Sequence, residues 1–148
     1  MQFSLDTASD CYTIRAYTPQ QIIVAPPKDI MDSMPLVADP RFGERPLPLE
    51  ILESTFVIMP RLIIKNWPPH DYTALTAETL AELTQYQPEI VLLGSGPRLR
   101  WPAKGVREPL MAQGIGVEVM DSSAACRTYN ILTAELRQVA ALIYVENR

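Results

Sequence analysis

The sequence has 148 residues, 47% hydrophobic and 20% charged, which is the make-up of a single globular domain over 1–148, long enough to bury roughly 70% of its unfolded surface. A formal net charge of -4 excludes a general phosphate-backbone binder, since such binding needs several Lys or Arg acting together, and no nucleic-acid partner is expected. The start has no basic segment followed by an apolar run, and no stretch reaches the roughly 18 apolar residues of a membrane span, so a cytoplasmic protein with no transmembrane segment and with Cys11 and Cys126 as thiols is expected.

From the N-terminus, "YTIRAY" and "QQIIVAP" are short, rich in β-branched and aromatic residues and separated by "TP", the pattern of an antiparallel strand pair. Several of the 14 prolines then cluster between Pro26 and Pro48, and over residues 27–50 no period of 2 or 3.6 holds. That segment reads as an irregular excursion, either plain surface or a partner-binding loop. "STFVIMP" and "RLIIKNW" supply more strand material, broken at Pro60. Beyond it the period changes: Thr76 can cap a helix, Glu78 and Glu82 suit its first turns, Leu80 and Leu83 give it an apolar face, and Pro88 ends it.

From Glu89 onward strand and helix alternate: "EIVLL", "VREPLMAQG", "GVEVM", "SAACRTYNILTAELRQ", "VAALIYV". This predicts a βαβαβ unit with parallel strands at 90–93, 117–120 and 139–144. The fold class is therefore α/β, a single layered domain with N-terminal antiparallel strands and a C-terminal parallel unit. On the second of these helices Ala125, Tyr129, Leu132 and Leu136 are spaced to form a buried stripe. Acids outnumber bases in residues 1–90 and bases outnumber acids in 91–148, so the two halves are expected to neutralise each other.

Candidate chemistry collects at the strand ends. Gly94 and Gly96, on either side of Ser95, match the first two glycines of a dinucleotide-binding turn, but Leu99 holds the third position and Pro97 and Pro102 oppose an immediate helix, so no dinucleotide cofactor is expected. Arg98, Arg100, Lys104 and Arg107 follow and point to a small anion held where open α/β sheets place ligands. Trp101 is expected to pack rather than stack on a ligand. Asp121 ends a strand, Ser122 or Ser123 is expected to cap the next helix, and the Asp121 charge is expected to face the loop that ends at Arg100. Those segments define a ligand pocket between Gly94–Gly96 and Asp121–Ser123. Asn130, unfavourable mid-helix, is expected to hydrogen-bond a neighbouring loop or a ligand.

No catalytic set completes itself. Cys126 sits in the first turns of a helix beside Arg127, which favours a thiolate, but the only histidine is His70, and a small thiol flanked by alanines is commonly core. The same scarcity leaves a Ser/His/Asp triad or a zinc site without members, so neither metal nor cofactor is expected.

Three segments together resemble a known family: Gly94, Ser95 and Gly96 after a buried strand; Gly114, Glu118, Met120 and Asp121 at a second strand; and Ala125, Thr128, Tyr129 and Asn130 on a helix. This is similar to the domain-of-unknown-function family that includes the mitochondrial NADH:ubiquinone oxidoreductase complex assembly factor 3. The resemblance spans about 73–144 and extends to Asn66 and Trp67; Ser122 stands where Thr is usual, and Leu136 where a Glu-Gly-Arg run commonly follows Glu135. The 27–50 excursion is longer than usual for the family. The resemblance implies a layered α/β domain and an assembly role through protein contacts rather than catalysis. Two functions are therefore expected in turn: a non-enzymatic interaction or assembly protein with a protein partner, or a small-anion binder or enzyme using Gly94, Ser95, Gly96, Arg98, Arg100, Asp121, Ser122 and Asn130.

Overall fold

In the computed structural model, which describes residues 10–43, 45–69 and 71–146, Pro19 and Gln20 turn the chain between β1 (Thr13–Thr18) and β2 (Gln21–Ala25). The two strands pair antiparallel, as their β-branched and aromatic residues lead one to expect. Their ladder carries a bulge: Ile14 faces Val24 while Ala16 faces Ile23, which leaves Arg15 as the extra residue. After the excursion a third strand, β3 (Glu50–Leu52), joins β2 antiparallel. The excursion itself holds one helical turn, α1 (Lys28–Met31), a 3-10 turn at Pro40–Phe42 and a bridge between Val37 and Leu47. It is more than bare surface, because Val37, Phe42, Leu47 and Leu49 cover Ile23 and Ala25 on one face of the three-stranded sheet.

A hairpin, β4 (Phe56–Met59) and β5 (Leu62–Ile64), begins the larger sheet. Thr76 caps α2 (Ala77–Ala81), its hydroxyl accepting from the Thr79 N–H at 3.2 Å. The helix then tightens to 3-10 over Glu82–Tyr86, where the Thr84 hydroxyl and Gln85 amide donate to the carbonyls of Ala81 and Glu82. Four elements follow β6 (Ile90–Gly94): α3 (Glu108–Ala112), which tolerates Pro109 in its first turn, β7 (Gly116–Met120), α4 (Ser122–Ala134) and β8 (Val139–Ile143). The strand order is β5-β4-β8-β6-β7. β6 is parallel to both β7 and β8, as the βαβαβ pattern requires, and β4 runs antiparallel to β8.

Alternation along these strands sorts the core into two sides. Val57, Val91, Leu93, Ala140 and Leu142 meet Leu80, Leu83 and Leu110 of α2, its 3-10 extension and α3. Phe56, Ile58, Leu92, Ala141 and Ile143 meet Ala125, Cys126 and Tyr129 of α4 together with Ile14, Ile22, Val24 and Leu52 of the smaller sheet. β6 and β8 are buried on both faces, which explains their unbroken apolar runs, while β7 at the sheet edge exposes Glu118 and alternates. No helix among the described residues is long and apolar enough to cross a membrane.

The buried stripe expected on α4 holds at Ala125 and Tyr129 and, partly buried, at Leu132, but fails at Leu136, which is 88% exposed. The helix has ended by then. The Leu136 N–H bonds the Thr133 carbonyl at 2.9 Å and the Arg137 N–H bonds that of Leu132 at 3.1 Å, with Leu136 at φ 63. This is the left-handed stop that glycine fills without penalty, and here leucine fills it with its side chain in solvent. Leu136→Gly is accordingly expected to stabilise the protein by about 0.5–1 kcal/mol, the relief of left-handed strain outweighing glycine's extra unfolded-state entropy. Urea unfolding measures it, and a destabilised variant would show that the leucine side chain contributes more than its backbone costs.

Candidate functional site

The carboxyl ends of β6, β7 and β8 meet at Ser122. Its hydroxyl donates to the Tyr144 carbonyl at 2.7 Å and accepts from the Gly96 N–H at 2.8 Å, while its own N–H donates to the Gly96 carbonyl at 2.8 Å. Gly94 lets α4 come this close: a Cβ there would lie 3.1 Å from the Cβ of Ala125 and from Cα and Oγ of Ser122. Gly96 continues with φ 99, a conformation that L side chains rarely adopt. Ser95 is fully buried; its hydroxyl donates to the Arg98 carbonyl at 2.6 Å and accepts from the Arg100 N–H at 3.0 Å, folding the loop back on itself.

This geometry changes several expectations. The space between Gly94–Gly96 and Asp121–Ser123 is closed by the direct bonds just described, so Ser95 and Ser122 are joints rather than ligand contacts. The helix cap is Asp121, not a serine: its carboxylate accepts from the Ala124 N–H at 2.8 Å. Ser123 instead accepts from Arg127 at 2.7 Å. Because Asn caps about as well as Asp, Asp121→Asn is expected to leave stability nearly unchanged and Asp121→Ala to cost about 0.5–2 kcal/mol. A thermal or urea series would test this, and equal stability for Ala and the parent would remove the capping role.

Arg98 and Arg100 lie on the other side of the Gly96 turn, where they line a cavity of about 280 Å³ with Asp71, Tyr72, Tyr144 and Glu146. The Arg100 guanidinium is oriented by the Ser95 carbonyl, 3.4 Å from Nε and 3.2 Å from Nη2, and stands 5.4 Å from the centre of the Tyr72 ring. Tyr72 and Tyr144 meet edge to face at 5.0 Å. Burial pushes the Tyr72 phenol up to about 12 and raises that of Tyr144 as well, so both stay protonated at neutral pH. Hydrogen bonds from the Thr73 N–H and hydroxyl hold the Asp71 carboxyl below its usual range, with Arg100 adding to the effect. The four residues 71, 72, 144 and 146 were not anticipated. Tyr144 was open to discovery, since it follows the third parallel strand directly; nothing in "HDYTAL" marks Asp71 or Tyr72.

Lys104 and Arg107 stay outside this cavity. Arg107 lies 5.3 Å from the centre of the Trp101 ring, and Trp101, expected to pack, is 65% exposed. Asn130 is elsewhere again. Its Oδ1 accepts from the Ile14 N–H at 2.9 Å and its Nδ2 donates to the Ile14 carbonyl at 2.8 Å, so it acts as a strand partner for the bulged end of β1. Tyr129 helps, its hydroxyl donating to the Tyr12 carbonyl at 2.9 Å. Asn130 also borders a smaller cavity of about 150 Å³, shared with Arg15, Tyr17, Cys126 and Arg127. Burial drives the Cys126 thiol up to about 12 despite Arg127, the reverse of an activated thiolate. His70, its conceivable base, lies outside the described residues. Among the described residues no three His, Cys, Asp or Glu side chains gather as metal ligands.

Residues 46–144 match the model of a family described as protein of unknown function, DUF498/DUF598. A curated protein of Danio rerio, named NADH dehydrogenase (ubiquinone) 1 alpha subcomplex assembly factor 3, is 34% identical over 87 residues, 59% of this chain and 50% of its own. The chain thus spans about half the length of the curated relatives it matches. A crystal structure from Bordetella parapertussis is 28% identical with a TM-score of 0.71, covering 95% of this chain and 100% of that one. A solution structure from Bordetella pertussis, described as a Mth938-like domain, shares the fold with a TM-score of 0.68 at 24% identity, over 99% of this chain and 94% of that one.

Proposed function

The chain belongs to the DUF498/DUF598 family, and on that premise we propose that it is an accessory protein of the assembly type, acting through contacts with other proteins rather than by catalysis. The relative named as an assembly factor for NADH dehydrogenase supports this reading and suggests subunits of a respiratory NADH dehydrogenase as the partner class. The single observation that carries it is the loop between β6 and α3, which presents Trp101 at 65% and Leu99 at 52% exposure, with Arg107 over the indole. Tryptophan and arginine are the side chains that most often dominate binding energy at protein interfaces. As part of the same proposal the protein resides in the cytoplasm, where thiols stay reduced.

Affinity capture from the native cell, comparing the parent with Trp101→Ser, is the test. The parent is expected to retain a respiratory-complex partner that the variant loses, while the variant keeps stability within about 0.5 kcal/mol because the side chain is solvent-facing. Repeated recovery of the parent alone would overturn the accessory reading. Equal retention by the variant would move the interface away from this loop.

A further inference from the structure

We propose that the cavity at the carboxyl ends of β6 and β8 is a site for a small monocarboxylate, its acid group held by the guanidinium forks of Arg98 and Arg100. The cavity stands where open α/β sheets receive ligands, and its use does not depend on Trp101 meeting a partner. At about 280 Å³ it falls near the bottom of the usual range of roughly 300–1,000 Å³ for ligand pockets, so the occupant is an acid of few heavy atoms.

Arg100 is the preformed half of the site. Its Nε and Nη2 both donate to the Ser95 carbonyl, at 3.4 and 3.2 Å, while the fork lies over the Tyr72 ring and against Gly96, where a Cβ would sit 3.7 Å from Nη2. Those bonds use the inner edge of the fork. The outer edge, Nη1 and the second N–H of Nη2, has no partner among the described residues, and such a pair of donors matches the two oxygens of a carboxylate. Because Ser95 and Tyr72 already orient it, Arg100 loses little freedom on binding. Arg98 borders the same space from the exposed rim, and its side chain has no partner among the described residues.

The surrounding charges favour a ligand with one negative charge. Neither arginine forms an ion pair among the described residues. The two carboxylates that also border the cavity are engaged elsewhere: Asp71 Oδ1 accepts from the Thr73 N–H and hydroxyl at 3.0 and 2.8 Å, and Glu146 has an interaction of its own. Both forks therefore keep donors to offer. Asp71 keeps its negative charge at neutral pH, so a dianion is repelled where a monoanion is held. Pro97 and Val145 give an apolar wall to the rest of the ligand.

The test titrates the purified full chain at neutral pH with sodium propionate, with its uncharged isostere propionamide and with sodium succinate, each compared with sodium chloride at the same ionic strength. Amide shifts of Gly96 and Arg98 and the Nε–H shift of Arg100 report binding. Propionate is expected to saturate them with a Kd of about 1–20 mM, the affinity open to a ligand of this size. Propionamide is expected to be weaker by about tenfold, one charge-assisted bond being worth about that factor, and succinate to be weaker than propionate as well. Arg98→Gln and Arg100→Gln should each weaken propionate about tenfold, the former with an unchanged melting curve because its side chain is exposed and unpartnered. Asp71→Asn, which can still cap the Thr73 N–H, should tighten propionate. Lys104→Gln makes the same change of charge in the same loop but outside the cavity, and should alter propionate binding by less than about twofold. Absence of saturation overturns the proposal. So do shifts that sodium chloride alone reproduces, propionamide or succinate binding as tightly as propionate, or equal losses in Lys104→Gln and Arg98→Gln; none of these results bears on the capture experiment above.

Discussion

Ser122→Ala is expected to destabilise the protein by about 2–4 kcal/mol, because one hydroxyl satisfies two buried backbone groups that nothing else serves. Removing it strands the Gly96 N–H and the Tyr144 carbonyl, which now meet Oγ at 2.8 and 2.7 Å. Each orphaned group costs about 1–3 kcal/mol when no water replaces the lost partner, and Ser122 is fully buried against Gly94, leaving little room for one. The methyl of alanine fits, so overpacking does not confuse the result. A urea midpoint lowered at unchanged m-value is the expected signature. Threonine, which keeps the hydroxyl, should be milder than alanine. A loss in Ser122→Ala below about 0.5 kcal/mol, the level of an ordinary surface substitution, would mean that the three strand ends hold together without this hydroxyl.

The second large effect belongs to Asn130. Asn130→Asp keeps size and shape but exchanges a donor for an acceptor, placing a carboxylate oxygen against the Ile14 carbonyl where Nδ2 now donates at 2.8 Å. Losing one partly buried bond and opposing two acceptors is expected to cost about 1–3 kcal/mol. The Ile14 N–H keeps an oxygen to donate to, so its bond at 2.9 Å survives in form. The loss should shrink on acidification. Repulsion from the Ile14 carbonyl raises the carboxyl's folded pKa above its unfolded value, and once protonated it donates again. Hydrogen exchange at Ile14, Arg15 and Ala16 should accelerate more than exchange in β6 and β8, since the side chain anchors only the bulged end of β1. An Asp variant as stable as the parent at neutral pH would show that this clamp is dispensable.

Both residues were singled out in the sequence, and what was missed about each, the partner of Asn130 and the part played by Ser122, shows what a sequence conceals. Asn130 was legible as a residue needing a particular partner, but that partner lies 116 positions away in β1, beyond any local pattern. In "DSS" three adjacent side chains could each cap a helix, and only the Asp121 backbone, extended at φ -66 and ψ 163, decides among them. The parallel unit from β6 to β8 was readable because β6 and β8, buried on both faces, carry unbroken apolar runs, and β7 at the edge alternates with period 2. β3 was not, because three residues at the end of a proline-rich stretch cannot display a period. The cavity is lined from three separate segments around residues 71, 98 and 145. Its two arginines stand out by composition, but Asp71 and Glu146 join them only once the chain is folded.

The order β5-β4-β8-β6-β7 has a consequence for the protein's synthesis. β4 and β6 are not neighbours; each bonds to β8, which is the last of these strands to be made. Until residue 143 has left the ribosome, the larger sheet exists only as two unconnected pairs with their inner edges bare. Translation at about 5–20 residues per second leaves those edges open for a period set by the length of chain still inside the exit tunnel. A nascent chain held after Met120 has emerged and before Val139 has would carry two strand pairs with bare inner edges and no centre, the state in which edge-to-edge pairing with another chain is easiest.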